Sequence, residues 1–153
     1  MLSAAAVEWS SRVQAEQPAI PVVGYLSLGS ERGMQPFTDA FLSGLASHGY
    51  FEGKNIRVLQ RFADGHTDRL STLTTELVSL GARVVVTAGG ASIEAAHKAA
   101  PSVPIVSWIG PEPMGMGWAK SLAKPGGMIT GIFFNTQAPK KTRAAKGVEA
   151  AGD

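Results

Sequence analysis

Val22–Gly33 reads VVGYLSLGSERG and runs toward Pro36–Tyr50, PFTDAFLSGLASHGY. An apolar run meets a small-residue turn, and an amphipathic stretch follows. The same unit returns as Arg83–Ser92, RVVVTAGGAS, leading into Ile93–Pro101, and as Pro104–Pro113, PIVSWIGPEP, leading into Met114–Gly127. Short apolar runs alternating with helix-length segments build a parallel sheet with helices on both faces, a three-layer αβα fold. Five runs qualify as strands: Val22–Leu28, Asn55–Phe62, Arg83–Thr87, Ile105–Ile109 and Met128–Phe134. Right-handed crossovers make a mostly parallel five-stranded sheet in the order 2-1-3-4-5 the expected topology. Ligands of such sheets sit at the carboxyl ends of the strands, so the residues just after each apolar run are the candidates for a site.

Local signals place the helices between these strands. Pro36 suits the first turn of a helix that runs to His48, and Gly49 suits its C-terminal cap. Thr67 or Asp68 caps a second helix that carries Leu70, Leu73, Leu77 and Leu80 on one face and stops at Gly81. Ser92–Ala100 reads as a third helix and Glu112–Ala123 as a fourth. Val84-Val85-Val86 does not alternate, which predicts a central strand buried on both faces.

A chain of 153 residues, 44% apolar and 17% charged, has the composition of a globular domain with a real core. Its formal net charge of +2 reflects a small surplus of Lys and Arg, and no dense basic patch marks a nucleic-acid partner. There is no cysteine, which excludes disulfides, thiolate metal sites and a cysteine nucleophile. No stretch approaches the 18 or so continuous apolar residues of a spanning helix, so stable membrane insertion is not expected.

Three segments are expected. Residues 1–18 read as a leader: Val13-Gln14-Ala15 has the small-x-small form of a signal-peptidase site, without the charged and apolar parts that precede it in a full export signal. Residues 19–135 form the folded lobe. Residues 136–153 are alanine-rich and carry Lys140, Lys141, Arg143 and Lys146, which predicts a flexible tail that adds nothing native to the lobe.

Motifs for catalysis and cofactors are sparse. The first strand leads into Leu28-Gly29-Ser30-Glu31-Arg32-Gly33, which is neither a G-x-G-x-x-G nor a P-loop fingerprint. Ser121-Leu122-Ala123-Lys124 matches S-x-x-K at the end of a helix, without the partner motifs of that chemistry. His48, His66 and His97 lack metal-ligand spacing and read as surface or cap residues. Met114, Met116 and Trp118 read as core filling. No enzymatic activity, cofactor or metal is expected. The strand-end turns say more. Thr87-Ala88-Gly89-Gly90-Ala91-Ser92 sets two glycines and a hydroxyl at a helix N-terminus, where free N–H groups and the positive dipole end favour an anion such as a carboxylate. Gly29-Ser30 and Gly110-Pro111-Glu112-Pro113 form similar turns. Any parallel α/β fold needs glycine-rich turns at these places, so this feature alone leaves the ligand unidentified.

Four stretches carry a resemblance. They are PVVGYLSLGS (21–30), FLSGLASHGYFEGKNI (41–56), ADGHTDRLSTLTTELVSLGARVVVTAGG (63–90) and PIVSWIGPEPMGMGWAKSLAKPGGMITGI (104–132). In the order and spacing of Gly49-Tyr50-x-Glu52-Gly53-x-Asn55, Asp68-Arg69-Leu70, Gly89-Gly90 and Ser121-Leu122-x-x-Pro125-Gly126-Gly127-x-x-Thr130-Gly131, the chain resembles a bacterial ABC-transporter substrate-binding family. The resemblance runs from about Pro18 to Phe134 and covers the N-terminal lobe of a type I periplasmic-binding fold. It implies the non-catalytic solute-binding component of an ABC uptake transporter, which delivers a small organic solute such as an amino acid to an ABC permease. Some members act on aromatic amino acids. It implies export to the periplasm, whereas a chain with only this partial signal would stay in the cytoplasm. It points to Ser27, Ser30, Thr87, Gly89, Gly90, Ser92 and Glu112 as the ligand-lining positions, with Glu112 facing an ammonium group. Two departures stand out. Pro111-Glu112-Pro113 replaces the family's usual Gly-Asp-Pro, and the second lobe of the ligand clamp is missing. The competing readings are a small flavodoxin-like or Rossmann-like α/β enzyme, and an interaction module or non-functional gene fragment without a ligand.

Overall fold

The computed structural model describes residues 20–109, 118 and 126–133. The expected leader and tail lie outside these residues, as does the expected fourth helix apart from Trp118. The elements follow as β1 (Val22–Ser27), α1 (Glu31–Ser47), β2 (Arg57–Phe62), α2 (Arg69–Ser79), β3 (Val84–Ala88), α3 (Gly90–Ala99), β4 (Ile105–Ile109) and β5 (Ile129–Phe133). The five strands form one sheet in the order β2-β1-β3-β4-β5, parallel at every pairing. Fold class and strand order are those that the alternating apolar runs predict.

The period-2 alternation of each strand sorts its side chains between two cores. On one face Leu26, Val85, Ile105 and Ile129 pack against Leu70, Leu73 and Leu77 of α2 and Ile93 and Ala96 of α3. On the other, Val23, Tyr25 and Val58 pack against Phe41, Leu42 and Leu45 of α1. Tyr25 anchors this second core, its ring centroid 5.7 Å from Phe41 and 6.2 Å from Phe62. The valine run is less enclosed than its lack of alternation predicts. Val85 is fully buried, but Val84 and Val86, whose side chains point to the α1 face, are only half-buried.

Helix α1 starts at Glu31, not Pro36. The Ser30 hydroxyl accepts from the Gly33 N–H at 3.2 Å and caps the helix six residues before the proline. Pro36 therefore lies inside α1 and denies the Arg32 carbonyl its partner. Both residues are exposed, so water can take up that carbonyl. Asp68 is the N-cap residue of α2, as one of the two expected caps, but its side chain makes no capping bond. Leu70, Leu73 and Leu77 are buried as the helical spacing predicts, while Leu80, at the C-cap, is exposed.

One surface ion pair links β2 to α2: Arg61 donates to Glu76 Oε1 at 2.7 Å. The hydrogen bond from Arg61, reinforced by its charge, holds the Glu76 carboxyl below its ordinary range. A carboxyl whose folded pKa is depressed stabilises the fold above its unfolded pKa, about 4.3 for Glu, and loses that contribution as pH falls through the folded value. In urea titrations the stability gap between wild type and E76Q should therefore be small, greatest at neutral pH, and close on acidification. A gap that widens in acid would contradict this assignment.

Candidate functional site

Register brings the strand ends together. Leu26 lies opposite Thr87, Thr87 opposite Ser107, and Ser107 opposite Gly131. Across this row runs a ladder of hydroxyls: Ser107 Oγ donates to the Thr87 carbonyl at 2.5 Å, and Thr87 Oγ1 donates to the Leu26 carbonyl at 2.8 Å. Both bonds are buried, so the ladder ties the carboxyl ends of β1, β3 and β4 into a rigid floor. Ser107 went unrecognised in the sequence, because a serine inside an apolar strand carries no turn or cap signal.

The sequence-predicted residues take different roles on this floor. Thr87 is buried, and its hydroxyl proton is engaged by the sheet. Ser27, also buried, closes β1, and its Oγ accepts from the Gly29 N–H at 3.1 Å. Ser30 is exposed and caps α1. The turn that holds Ser27 and Ser30 is clipped to the loop after β2, where the Gly65 N–H donates to the Leu28 carbonyl at 2.6 Å and the Asp64 N–H to the Gly29 carbonyl at 3.3 Å. Arg69 braces that loop with a 2.9 Å bond to Asp64. Glu112 lies outside the described residues.

Gly89, Gly90 and Ser92 form a distinct group. Gly89 is the N-cap of α3 at φ +83°, a left-handed conformation that glycine adopts without a steric penalty, and no side chain caps this helix. The first N–H groups of a helix have no acceptor within it, so the amino end of α3 presents donors and the positive end of its dipole. Ser92, in the first turn, is only 1% exposed, and its hydroxyl has no hydrogen-bond partner among the described residues. Above this end stands Trp118. A β-carbon built on Gly90 would lie 3.7 Å from its Cη2, and the indole packs partly buried against the α2/α3 core. Trp118 thus packs against the core, in line with the expected core-filling role, and it also borders the α3 turn.

On the other side of the sheet, the strand ends continue into an apolar groove of about 210 Å³ beside α1. Tyr25, Ser27, Met34, Phe41, Thr87 and Val106 are among its lining residues. Among the described residues no group of three His, Cys, Asp or Glu side chains is placed to hold a metal ion.

The chain is a parallel α/β lobe whose strand ends offer backbone donors at a glycine-led helix terminus, where folds of this class seat anionic ligand groups. The chain belongs to the ABC transporter substrate binding protein family, whose family model matches residues 23–144. That family consists of substrate-binding proteins of small-molecule solutes, not enzymes. A curated relative, the tyrosine-binding protein of Clostridioides difficile strain R20291, is 26% identical over 109 residues, which make up 71% of this chain and 32% of the relative. The chain thus spans about a third of the length of that protein. Solved structures share the fold. A ligand-free, open substrate-binding protein with adhesive properties from Clostridium difficile matches with a TM-score of 0.65 at 21% identity, over 73% of this chain and 38% of its own. An ABC domain from Streptococcus pneumonia in complex with L-Trp matches with a TM-score of 0.65 at 24% identity, over 74% of this chain and 38% of its own.

Proposed function

We propose that this chain is the amino-acid-recognising lobe of a binding protein for an ABC uptake system, and that the ligand carboxylate seats on the amino end of α3. The observation that carries this reading is the conjunction at α3: a helix N-terminus led by Gly89 and Gly90 that no side chain caps, with a fully buried hydroxyl at Ser92 that has no partner among the described residues. A carboxylate supplies acceptors to all of these donors at once. The names of the relatives, one a tyrosine-binding protein and one holding L-Trp, support an amino acid as the solute class. Ser27 and Ser30 border the same end of the sheet, and Glu112 is assigned the ligand ammonium. Thr87 is assigned a supporting role, since its hydroxyl proton is bound to Leu26. In this reading the partner is an ABC permease and the place of action is the periplasm.

One lobe forms half of a clamp, and closure by a second lobe is what excludes water and completes the contacts. The chain by itself should therefore bind amino acids in the millimolar range. NMR titration with L-Tyr and L-Trp should shift the amides of Gly89, Gly90 and Ser92 together, and Gly90→Val should abolish those shifts. Absence of shifts at α3, or shifts that persist in Gly90→Val, would reject the assigned site. Micromolar affinity by calorimetry would show that a single lobe suffices.

A further inference from the structure

The opposite end of the sheet carries a surface that the solute reading does not use. Ile20, Tyr50, Phe51 and Leu80 stand at the amino-terminal edge, each between 43% and 49% exposed. Backbone hydrogen bonds set the starts of β2, β1 and β3, near which these residues lie, side by side. The Arg57 N–H donates to the Pro21 carbonyl at 2.9 Å and the Arg83 N–H to the Val22 carbonyl at 3.0 Å, so both arginines flank the segment that leaves Ile20. Leu80 precedes Gly81, where a β-carbon would lie 4.0 Å from Val22 Cγ2.

The aromatic pair is held outward by a stiff turn. Asn55 accepts from the Phe51 N–H at 2.7 Å and donates to the Gly49 carbonyl at 2.8 Å. Lys54 Nζ sits 5.6 Å from the centroid of the Phe51 ring. Lys54, Arg57 and Arg83 are all exposed, and none of them takes part in an ion pair among the described residues. Glu52, in the same turn, accepts a 2.7 Å bond from the Val58 N–H and sets one negative charge against these three positive ones. The edge is therefore apolar, aromatic and basic together.

We propose that this edge docks on an anionic lipid surface. Bilayer interfaces accept aromatic rings and aliphatic side chains at headgroup depth, and anionic headgroups attract adjacent Lys and Arg. An acidic protein would match the three cations but not four apolar side chains spread over separate connections. The geometry also keeps docking compatible with ligand access. Gly89, Gly90 and Ser92 lie at the far ends of the strands, so a lobe seated on this edge holds its α3 turn in water. The inference rests on exposure, charge and placement and is independent of the solute.

Co-sedimentation with vesicles of equal parts phosphatidylglycerol and phosphatidylcholine, against phosphatidylcholine alone, tests it. Each cation near an anionic surface raises partition roughly five-fold, so three predict about a hundredfold preference for the anionic vesicles, weakened by salt. The double variant Lys54→Glu/Arg83→Glu should abolish that preference, and Phe51→Ser should weaken binding while the far-UV spectrum stays that of the wild type. No sedimentation, equal binding to both vesicles, or anionic preference retained in Lys54→Glu/Arg83→Glu each overturns the proposal. Binding that is lost on deletion of residues 1–19 yet kept in the double variant would assign the membrane contact to the leader and overturn it as well. Concentration-dependent self-association that Phe51→Ser removes, without vesicle binding, would identify a second copy as the occupant instead.

Discussion

Replacing Leu77 by alanine is expected to lower the unfolding free energy by about 3–5 kcal/mol, the upper part of the range for a buried leucine. Leu77 is fully buried in α2 and sits at the centre of the α2/α3 core. It also packs directly against β1 at Gly24. A β-carbon on Gly24, in the middle of β1, would lie 3.1 Å from Leu77 Cδ1 and 3.3 Å from both Leu77 Cβ and Ala82 Cβ. Helix and strand approach this closely because Gly24 has no side chain, which leaves the surrounding atoms little freedom to collapse into the space an alanine would open. Urea denaturation should show a lower midpoint with an unchanged slope. The same geometry predicts coupling. Gly24→Ala alone should cost about 1–3 kcal/mol by overpacking. Combined with Leu77→Ala, whose missing Cδ1 relieves the tightest contact, it should cost clearly less than the sum. Strict additivity would show that α2 does not press on β1 at this point.

Gly131→Val is expected to detach β5 from the sheet. A β-carbon at this position would fall 1.4 Å from the Ser107 carbonyl oxygen and 2.4 Å from its carbon, a clash with backbone that no rotamer relieves. The strands must part where Ser107 pairs with Gly131. Parting them uncovers Ile129, now 3% exposed, at about 1.5–3 kcal/mol, and strands ladder groups at about 1–3 kcal/mol for each one left unpaired in the interior. A total loss of about 3–5 kcal/mol follows, concentrated at one edge of the sheet. Amide exchange reads the location directly: protection should vanish across β5 and fall in β4, while β1, β2 and β3 keep theirs. Uniform loss across all five strands would mean that the sheet unfolds as one unit, and unchanged protection in β5 would refute the close approach. Gly131→Ala should show the same pattern, since the clash begins at the β-carbon.

Most of the architecture was legible because it depends on periodicity. Apolar runs at 22–28, 83–87 and 105–109, spaced by helix-length segments, permit few arrangements once crossovers are right-handed, and the observed strand order is the expected one. The buried face of α2 followed in the same way from leucines at helical spacing, up to Leu80, which misses burial because it belongs to the last, unwinding turn. The start of α1 was misread because two local rules competed. Proline favours a first turn, but Ser30 with a free N–H three residues on is the stronger cap, and a solvent-facing carbonyl makes an interior proline tolerable.

The candidate site divides along the same line. Glycines 89 and 90 announced themselves in sequence, since a turn into a helix at φ +83° calls for a residue without a β-carbon. What the hydroxyls do was decided only in three dimensions. Thr87 and Ser92 looked alike as polar residues beside a turn, yet strand register places the Thr87 hydroxyl against the Leu26 carbonyl, while that of Ser92 is buried without a partner among the described residues. Ser107 joins the floor of the site only because β4 pairs with β3 at that register. The sequence by itself determined the fold class, the strand order and the glycine turn, because these follow from the spacing of apolar residues and from backbone freedom, both local in the chain. Tertiary structure alone decided which hydroxyls are occupied, how closely α2 approaches β1 and which edge of the sheet is apolar and basic, because each depends on residues distant in sequence that meet only when the strands pair.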